Sequence, residues 1–378
     1  MIAPCPYKLN NIKGGVEAVT VNLLKGFKQQ NNVDLKLVSI RREIEQKEIV
    51  RYSKNTEIIY IPFGKIKSTK FEMLSHGRKE VRKIVDKFDP DIVHVQGNGS
   101  ILFLTIGLDK SNLIVTQHGI LWQEFKQQKT LFGKYSYLIN VLTEKIISQY
   151  IQNYIFISDY NKNIFNKIDS LENHVKIYNP VNPFFFEINK KNDFQNRLLY
   201  IGGIMKRKGL LNLLTVIRDL NNNGIQYTLE VIGGIIEKKY KIEIDNFIKK
   251  YNIKHLVKFH GWLGQEDMLN IICNSDIFVL PSHQETLPVT IAETMAAGKV
   301  VIASNVGGIP EMIQDGRNGF IYESKKLDQL FNILIKINHN TSILREISAE
   351  AKISALEKYQ PQKVVNKTIE FYKNVIKK

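Results

Sequence analysis

Short segments rich in β-branched residues alternate with longer amphipathic segments along the whole chain. This alternation is typical of βα units, so the pattern predicts an α/β fold with largely parallel sheets. The predicted strands read VDLKLVSI, TEIIYIPF, DIVHVQG, LIVTQHG and YIFIS in the first half, and RLLYIGG, YTLEVIGG, VKFHG, DIFVLPS, VVIAS and GFIYE in the second. The clearest predicted helices cover residues 16–29, 76–87, 133–152, 210–221, 239–251, 265–274 and 289–297.

The chain of 378 residues is long for a single hydrophobic core, which favours two domains. The stretch IYNPVNPFFF at 177–186 has two prolines and no helical period, and we interpret it as the linker. We therefore predict domains at 1–178 and 179–360, followed by a helix at 361–378 that packs back on the first domain. Only IAPCPY precedes the first glycine loop, so the first strand is abbreviated: either Met1 is an internal start, or the strand lies at a sheet edge.

The net charge of +16 is spread over both halves, whereas a nucleic-acid module concentrates it on one element. We expect phosphate and anionic-surface partners, and no nucleic acid. Cys5 and Cys273 lack metal-ligand spacing, and two cysteines fit a reducing compartment. Neither a secretory signal nor an apolar run long enough to span a bilayer is visible. We expect a cytoplasmic protein that can lie on the inner face of the plasma membrane.

The strongest chemical signal is PSHQETLPVTIAETMAAGK, residues 281–299. A buried strand ends in a loop that carries Glu285, and a helix follows. Thr286 suits the N-cap, Pro288 the first turn and Gly298 the C-terminal stop. Because free N–H groups at a helix start attract anions, this loop can hold a diphosphate or sugar hydroxyls.

A second acidic residue, Glu293, lies eight positions after Glu285. One precedes the predicted helix and the other lies in its second turn, so both carboxylates can approach one ligand. Carboxylates accept hydrogen bonds from vicinal hydroxyls, which suits a ribose and a sugar ring. The spacing alone also fits two solvated glutamates; the strand, the cap and the glycine around it favour a ligand site.

With these residues the chain resembles glycosyltransferase family 4. The resemblance rests on the Glu-x7-Glu motif, the following ETMAAGKVVIASNVGGIPEMIQDGRNGFIY, the glycine loop KGGVE at 13–17, and DPDIVHVQG, TQHG and YIGGIMKRKG. These motifs occur in order over nearly the whole chain. The resemblance implies a retaining enzyme of the GT-B fold, with two Rossmann-like doubly wound domains facing across a cleft. The first would bind the acceptor and the second the nucleotide-sugar donor.

The resemblance also implies roles for individual residues. Glu293 would bond the ribose, Glu285 would hold the transferred sugar, and Lys208 would neutralise the diphosphate. His118 would lie near the donor sugar and support the reaction. The implied catalytic residues are His118, Glu285 and Lys208. The implied donor-binding residues are Gly14, Gly15, Lys206, Arg207, Lys208, Glu285, Thr286, Leu287, Pro288, Val289 and Glu293.

Two departures from the family pattern concern phosphate binding. The Arg that usually follows the first glycine is Gly203 here, so either Lys206 or Arg207 would replace that cation. Pro288 has no N–H, which removes one donor from the helix start. The family resemblance implies no metal and no separate cofactor, and UDP as the usual donor nucleotide. The acceptor would be a glycan or a lipid-linked sugar in cell-surface polysaccharide or glycolipid synthesis.

Several alternatives stay open at this point. A nucleotide-sugar epimerase of the same fold and a catalytically silent glycan-binding subunit are the rival functions. The basic stretch 65–83 and the aromatic stretch 125–150 fit either an anionic membrane surface or a solvated face. Asp89-Pro-Asp91 is interpreted as a turn and His94 as a structural strand residue. His260 and Trp262 either border the nucleotide base or pack in the core.

Overall fold

The computed structural model describes residues 1–12, 14–64, 69–119, 138, 141–142, 145–165, 173–188 and 194–377. The chain divides into two compact units. The N-terminal unit comprises Met1–Pro180 together with Pro361–Lys378, and the C-terminal unit comprises Val181–Gln360. The division after Pro180 falls inside the proline-containing stretch 177–186.

The N-terminal unit is built on parallel strands with one antiparallel edge. The strands follow the order β2-β3-β1 in one part of the sheet and β4-β5-β6-β7 in the other, and only the β2–β3 pair is antiparallel. The strands are β1 (Leu35–Arg41), β2 (Glu48–Ser53), β3 (Thr56–Pro62), β4 (Val93–Gln96), β5 (Leu113–Gln117), β6 (Asn153–Phe156) and β7 (Asn173–Lys176).

The abbreviated first strand lies in the middle of this sheet. Ile2 forms parallel bridges to Val38 of β1 on one side and to Val95 of β4 on the other. Its N–H donates to the His94 carbonyl at 2.8 Å, and its own carbonyl accepts from Gln96 at 2.9 Å. On the β1 side the bonds are made by its chain neighbours: the Ala3 N–H donates to the Val38 carbonyl at 3.1 Å, and the Val38 N–H donates to the Met1 carbonyl at 2.8 Å. The expectation of an edge position is therefore wrong, because this short segment is hydrogen-bonded to a strand on each side.

The helices of the N-terminal unit pack on this sheet through apolar side chains such as Val81, Ile84, Leu102 and Leu104. Of the predicted helix 133–152, the described residues 138, 141–142 and 145–148 are helical, and the rest of it up to residue 144 lies outside the described residues. The helices are α1 (Gly15–Phe27), α2 (Thr69–Glu72), a π-helical turn (Met73–Gly77), α3 (Arg78–Phe88), a 3-10 helix (Gly99–Thr105) and α4 (Asp159–Phe165).

The C-terminal unit contains one six-stranded sheet in which all neighbours are parallel. The strand order β10-β9-β8-β11-β12-β13 is the order 3-2-1-4-5-6 of a Rossmann domain. The order reverses between β8 and β11, where such sheets bind ligands beyond the strand ends. The strands are β8 (Arg197–Ile201), β9 (Thr228–Ile232), β10 (Val257–Gly261), β11 (Ile277–Leu280), β12 (Val300–Ser304) and β13 (Phe320–Tyr322).

The helices of this unit cover the sheet with a continuous apolar core that includes Leu213, Ile217, Ile244 and Leu334. Short 3-10 turns at Pro183–Phe185, Lys206–Lys208 and Lys254–Leu256 join the longer elements. The helices are α5 (Leu210–Asn222), α6 (Lys238–Lys250), α7 (Gln265–Asn274), α8 (Val289–Ala296), α9 (Ile309–Met312), α10 (Leu327–His339) and α11 (Ser342–Lys358).

The final helix, α12 (Pro361–Ile376), belongs to the N-terminal unit and packs against α1. Its buried face carries Val364, Val365, Ile369 and Phe371. Within the described ranges, no helix combines the length and the apolar character needed to cross a bilayer.

All eleven predicted strands are present, but two further strands were not predicted. Three of the six β2 residues are exposed, and none of the four β7 residues is buried. Strands of this kind lie at the edges of a sheet and lack the apolar run or alternation by which strands are predicted.

Candidate active site

Two loops of the C-terminal unit meet where its strand order reverses. The first follows β8 and contains the 3-10 turn Lys206–Lys208, and the second runs from Pro281 to Pro288 after β11. Since β8 and β11 are parallel neighbours, their carboxyl ends lie at the same edge of the sheet. Side chains of the two loops therefore meet despite a separation of 77 residues.

The contact between the loops is an ion pair. Lys208 Nζ lies 2.6 Å from Glu285 Oε1, and the same oxygen accepts a hydrogen bond from the Ser282 hydroxyl at 2.6 Å. Arg207 Nη1 lies 3.7 Å from Glu285 Oε2 and donates to the Gln284 carbonyl at 2.8 Å. Glu285 is only 7% exposed. A carboxylate this buried needs charged or polar partners, and these three supply them.

The backbone at Gly209 sets the position of the lysine. Gly209 has φ 69° and precedes the first residue of α5, so the chain turns sharply between Lys208 and the helix. A Cβ at this position would overlap the Pro281 carbonyl, which brings the β8 loop against the β11 loop. The His283 N–H also donates to the Arg207 carbonyl at 2.8 Å.

A third loop, between β12 and α9, packs against the loop that carries Glu285. The Gly308 N–H donates to the Thr286 carbonyl at 2.9 Å, and the Ser304 hydroxyl donates to the Ser282 carbonyl at 2.5 Å. Gly307 has φ 61°, and a Cβ there would overlap the carbonyl oxygen of Glu285. No role was predicted for these residues; their signal in the sequence is the glycine pair in SNVGGIPE.

Gly307→Ala is expected to displace Glu285 and to lower catalytic turnover by about 10- to 100-fold, because misplacing a reacting geometry by about 1 Å costs about 10²-fold. The left-handed backbone alone would cost about 1 kcal/mol of unfolding free energy. Gly316→Ala is the matched control, since Gly316 has φ 72° and open space around its Cβ position. Thermal unfolding and steady-state kinetics check both variants. Equal kinetic effects would show that strain, and not contact with Glu285, is responsible.

The start of α8 differs from the prediction. The helix begins at Val289 with Pro288 as its N-cap, and Thr286 is not the cap because its carbonyl is used by Gly308. Gly298 ends the helix as predicted, with φ 65°. In the described part of the chain, the N–H groups of Leu287, Val289 and Thr290 have no hydrogen-bond partner. Unpaired N–H groups at a helix start are able to bind an anion.

Glu293 lies in the second turn of α8 and is half-buried. Its carboxyl group forms no hydrogen bond or ion pair with any residue that the structure describes. Burial raises its pKa to about 8. A carboxyl group whose pKa is raised this far is typical of functional sites.

Glu293→Gln is expected to stabilise the unliganded protein at high pH. Because the folded pKa is raised above the ordinary value of 4.5, ionisation weakens the fold as the pH rises from about 5 to about 8. The glutamine variant escapes this loss, so its unfolding temperature should exceed that of the wild type by a few degrees at pH 8.5, and by less at pH 5. Glu346→Gln, at an exposed position of α11, is the control and should show no pH-dependent difference. If the unfolding temperatures of wild type and Glu293→Gln differed by the same amount at both pH values, the raised pKa of Glu293 would be contradicted.

The structure distinguishes between Lys206 and Arg207 as replacements for the Arg that is usual at position 203. Arg207 approaches Glu285, whereas the Lys206 side chain is exposed and its backbone N–H faces Glu237. At position 203, where the Arg usually lies, a side chain would collide with Ile236. Arg207 is therefore the second cation beside Glu285 in this unit.

In the N-terminal unit, Gly14 is the N-cap of α1 and Gly15 its first residue. Both are exposed, and the space around their Cβ positions is empty. Lys13 of the same loop lies outside the described residues. The glycines are thus not needed for internal packing, and the α1 start is open to a ligand.

His118 follows the last residue of β5. Its Nε2 lies 2.7 Å from Gln96 Oε1 at the end of the neighbouring β4. Burial lowers the pKa of His118 to about 4, so the ring is neutral at physiological pH. His94 is buried on β4, in agreement with the structural interpretation of this residue.

Two family models together match almost the whole chain. Glycosyltransferase Family 4 matches residues 13–183, and Glycosyl transferases group 1 matches residues 181–354. The protein is a family 4 glycosyltransferase. The matched residues include the loops that bring Lys208 and Glu285 together.

Relatives of this glycosyltransferase agree with the family. An uncharacterized glycosyltransferase of Haemophilus influenzae is 24% identical over 365 residues, 93% of this chain and 94% of that protein. The UDP-Gal:alpha-D-GlcNAc-diphosphoundecaprenol alpha-1,3-galactosyltransferase of Escherichia coli is 27% identical over 157 residues, 42% of this chain and 40% of that protein. The chain spans about half the length of several other curated relatives that it matches.

Solved structures confirm the predicted GT-B fold. Sucrose-phosphate synthase from Thermosynechococcus elongatus has a TM-score of 0.80 and 16% identity, over 96% of this chain and 94% of that one. HepE from Anabaena in complex with UDP and glucose has a TM-score of 0.69 and 17% identity, over 95% and 97% of the two chains. The glycosyltransferase thus consists of two Rossmann-like domains.

The structure also places the other residues of this glycosyltransferase that were singled out in its sequence. Trp262 is 67% exposed and lies against the Gly234 backbone, so the core-packing interpretation is wrong for it. His260 pairs with Glu230. Asp89 ends α3 with φ 47°, which confirms the turn. Among the residues that the structure describes, His, Cys, Asp and Glu side chains form no group of three or more that could hold a metal ion.

Proposed function

We propose that this glycosyltransferase transfers a sugar from a nucleotide-diphosphate donor, with UDP as the nucleotide, and retains the configuration of the anomeric carbon. The observation that carries the proposal is the group of Lys208, Arg207 and Glu285 beside the open start of α8. Cations and free N–H groups suit a diphosphate, and a carboxylate held by cations suits sugar hydroxyls. The acceptor we propose is a glycan or a lipid-linked sugar in cell-surface polysaccharide or glycolipid synthesis.

The diphosphate is proposed to bind to Lys208 and Arg207 and to the N–H groups of Leu287, Val289 and Thr290. Lys208 is 17% exposed, so it can contact a phosphate while it remains paired with Glu285. Positive charge at this place stabilises the diphosphate as the bond to the sugar breaks. Because these cations supply the charge, we propose that transfer needs neither a metal nor another cofactor, and that it continues in the presence of EDTA.

The two glutamates are proposed to hold the two sugars of the donor. Glu285, oriented by Lys208 and Ser282, accepts hydrogen bonds from hydroxyls of the transferred sugar. Glu293 bonds the ribose hydroxyls, and its lack of a partner in the described part of the unliganded chain supports that role. The roles of Gly14, Gly15 and His118 at the donor come from the family resemblance.

In the proposed reaction, the bond between the anomeric carbon and the diphosphate oxygen breaks, and a bond to the acceptor hydroxyl oxygen forms on the same face. The acceptor proton passes to the leaving diphosphate. Glu285 already accepts hydrogen bonds from Lys208 and Ser282, which favours a role in binding over one as a nucleophile. A front-side path through an oxocarbenium-like state therefore fits better than a covalent intermediate.

The nucleotide base is proposed to rest on Trp262. The exposed indole follows β10 at the same edge of the sheet as the β8 loop, and an aromatic face binds a base with about 1–3 kcal/mol. The UDP complex of HepE supports uracil as the base, and so does the UDP-galactose donor of the Escherichia coli relative.

A panel of UDP-, GDP- and ADP-sugars tests the function directly. Calorimetry should show binding of UDP, and NMR of the product of UDP-sugar transfer should show the same anomeric configuration as the donor. An inverted product would refute retention, and preference for GDP or ADP would refute the UDP assignment. Isomerised donor in the absence of acceptor would indicate an epimerase, and no binding of any nucleotide diphosphate would indicate a silent subunit.

An anionic membrane surface is proposed as a further partner of the N-terminal unit. Leu138, Leu142 and Ile146 are exposed apolar residues, and each is helical in the described part of the chain. Exposed cations, Lys145 and Lys110, lie nearby in this unit, and Lys110 Nζ lies 4.2 Å from the centre of the Tyr150 ring. Exposed apolar side chains with cations nearby suit an anionic bilayer, where lipid-linked acceptors are found.

Flotation with vesicles containing anionic lipid tests this surface. Leu142→Gln combined with Ile146→Gln should reduce binding several-fold, whereas Ile242→Gln, at an exposed position of α6 in the other unit, should not. Equal binding by all variants, or binding that is insensitive to salt, would contradict the proposal.

A further inference from the structure

Four side chains form a continuous hydrogen-bonded row from α12 to His118, which we call the His94 relay. His118 Nε2 lies 2.7 Å from Gln96 Oε1, and Gln96 Nε2 lies 3.1 Å from His94 Nε2. His94 Nδ1 lies 2.5 Å from the Tyr372 hydroxyl. The Thr116 hydroxyl also approaches His94 Nε2, at 2.7 Å.

The relay joins three separate elements of the N-terminal unit. His94 and Gln96 are two residues apart on β4, so they lie on the same face of the sheet. Tyr372 comes from α12, 278 residues further along the chain than His94. His94 and Gln96 are 2% and 1% exposed, so their hydrogen bonds must be satisfied inside the protein.

The chemistry of the amide gives the row a direction. An amide NH₂ only donates and an amide oxygen only accepts. With its oxygen towards His118, Gln96 requires a proton on His118 Nε2. With its NH₂ towards His94, it requires an unprotonated Nε2 there, so His94 donates from Nδ1 to Tyr372. One orientation of Gln96 therefore fixes the tautomer of both imidazoles.

We propose that Tyr372, His94 and Gln96 are positioning residues that hold His118 in its Nε2–H tautomer, so that Nδ1 presents a lone pair to a hydroxyl of the bound sugar. The proposal rests on the proposed function, in which His118 lies near the donor sugar. In the described part of the chain, His118 Nδ1 has no hydrogen-bond partner. It is therefore available to accept from a ligand.

The charges around the relay agree with neutral rings. Burial lowers the pKa of His118 to about 4. Burial also lowers the pKa of His94 well below its usual range, and the Met1 amino group and His118 add to this effect. Burial raises the pKa of the Tyr372 hydroxyl, which therefore stays protonated. Each ring then carries one proton, and the relay determines which nitrogen holds it.

The relay also predicts a specificity. A hydroxyl that donates to Nδ1 is required at one position of the sugar, and an acceptor-only group cannot replace it. A donor analogue with a methyl ether or a hydrogen at that position should lose about 10-fold or more in kcat/KM. The same analogue should lose little further with His118→Ala, because the bond is already absent.

Nitrogen NMR of protein labelled in histidine measures the tautomers directly, with or without catalysis. The expected result at pH 7 is Nε2–H for His118 and Nδ1–H for His94. Gln96→Leu should mix the His118 tautomers and lower kcat about 10-fold, with the KM for the donor changed less than twofold. Tyr372→Phe should do the same to a smaller extent, and the double variant should be no worse than Gln96→Leu alone.

Tyr154→Phe is the matched control. The Tyr154 hydroxyl is buried in the same unit and donates to the Ser148 carbonyl, outside the relay. This variant should leave both tautomers and kcat unchanged. An Nδ1–H tautomer of His118 in the wild type, or unchanged spectra in Tyr372→Phe, would overturn the relay. Absence of sugar transfer with the expected spectra would instead overturn the proposed function and leave the tautomer assignment standing.

Discussion

Replacing Glu285 with glutamine is expected to lower kcat/KM for sugar transfer by about 10²- to 10³-fold, the loss seen when one hydrogen-bonding group that stabilises a transition state is removed. Glutamine keeps the volume of the side chain and an oxygen for Ser282, but it cannot neutralise Lys208 or hold sugar hydroxyls as strongly. The affinity for UDP should change little, because UDP lacks the transferred sugar. Steady-state kinetics and calorimetry with UDP measure the two effects separately.

Glu350→Gln is the control for Glu285→Gln. Glu350 also pairs with a cation of the C-terminal unit, Arg317 at 3.2 Å, but the pair is exposed. This change should leave transfer within about twofold and the unfolding free energy within about 0.5 kcal/mol. Transfer by Glu285→Gln at the wild-type rate would refute the role of Glu285. An unfolded Glu285→Gln protein would indicate that the ion pair mainly stabilises the fold.

Replacing Lys208 with methionine is expected to lower kcat/KM by about 10²- to 10³-fold and also to weaken UDP binding, which distinguishes it from Glu285→Gln. The diphosphate loses one of its two proposed cations, and among the described residues the buried Glu285 retains only Arg207, at 3.7 Å, as a charged partner. Methionine fills a similar volume, so the β8 loop keeps its packing. The dissociation constant of UDP and the rate of transfer are the measurements.

Lys206→Met provides a closely matched control, because Lys206 belongs to the same 3-10 turn and its side chain is exposed. It changes the net charge by the same amount without touching Glu285, so UDP affinity should fall less than twofold. Equal losses in Lys206→Met and Lys208→Met would show that the general field of the basic turn is responsible. The proposed contact between Lys208 and the diphosphate would then be wrong.

Much of the fold could be predicted from local patterns. The buried strands, such as β8 and β11, are short apolar runs, and all of them were predicted. Gly298 marked the end of α8 correctly because a left-handed residue there favours glycine. The edge strands β2 and β7 were missed because exposed strands do not need an apolar pattern. The N-cap of α8 was wrong because Thr286 is held by another loop.

In the candidate site too, some residues could be predicted from local motifs and others could not. Glu285, Glu293 and Lys208 could be named because each belongs to a motif of contiguous residues. The choice of Arg207 over Lys206, and the support from Gly307, could not be predicted. Both depend on loops that follow different strands and meet only when the sheet has formed.

The sequence by itself determined the alternation of strands and helices, the glycines at the starts of α1 and α5, and the residue types needed to bind a phosphorylated sugar. These features depend on backbone preferences and on neighbours within a few positions. Only the tertiary structure decided that Ile2 lies inside the sheet, that Lys208 pairs with Glu285, and that Tyr372 connects to His118 through His94. Such contacts join residues far apart in the chain, and parallel strand order with helix packing, not local preference, brings them within hydrogen-bonding distance.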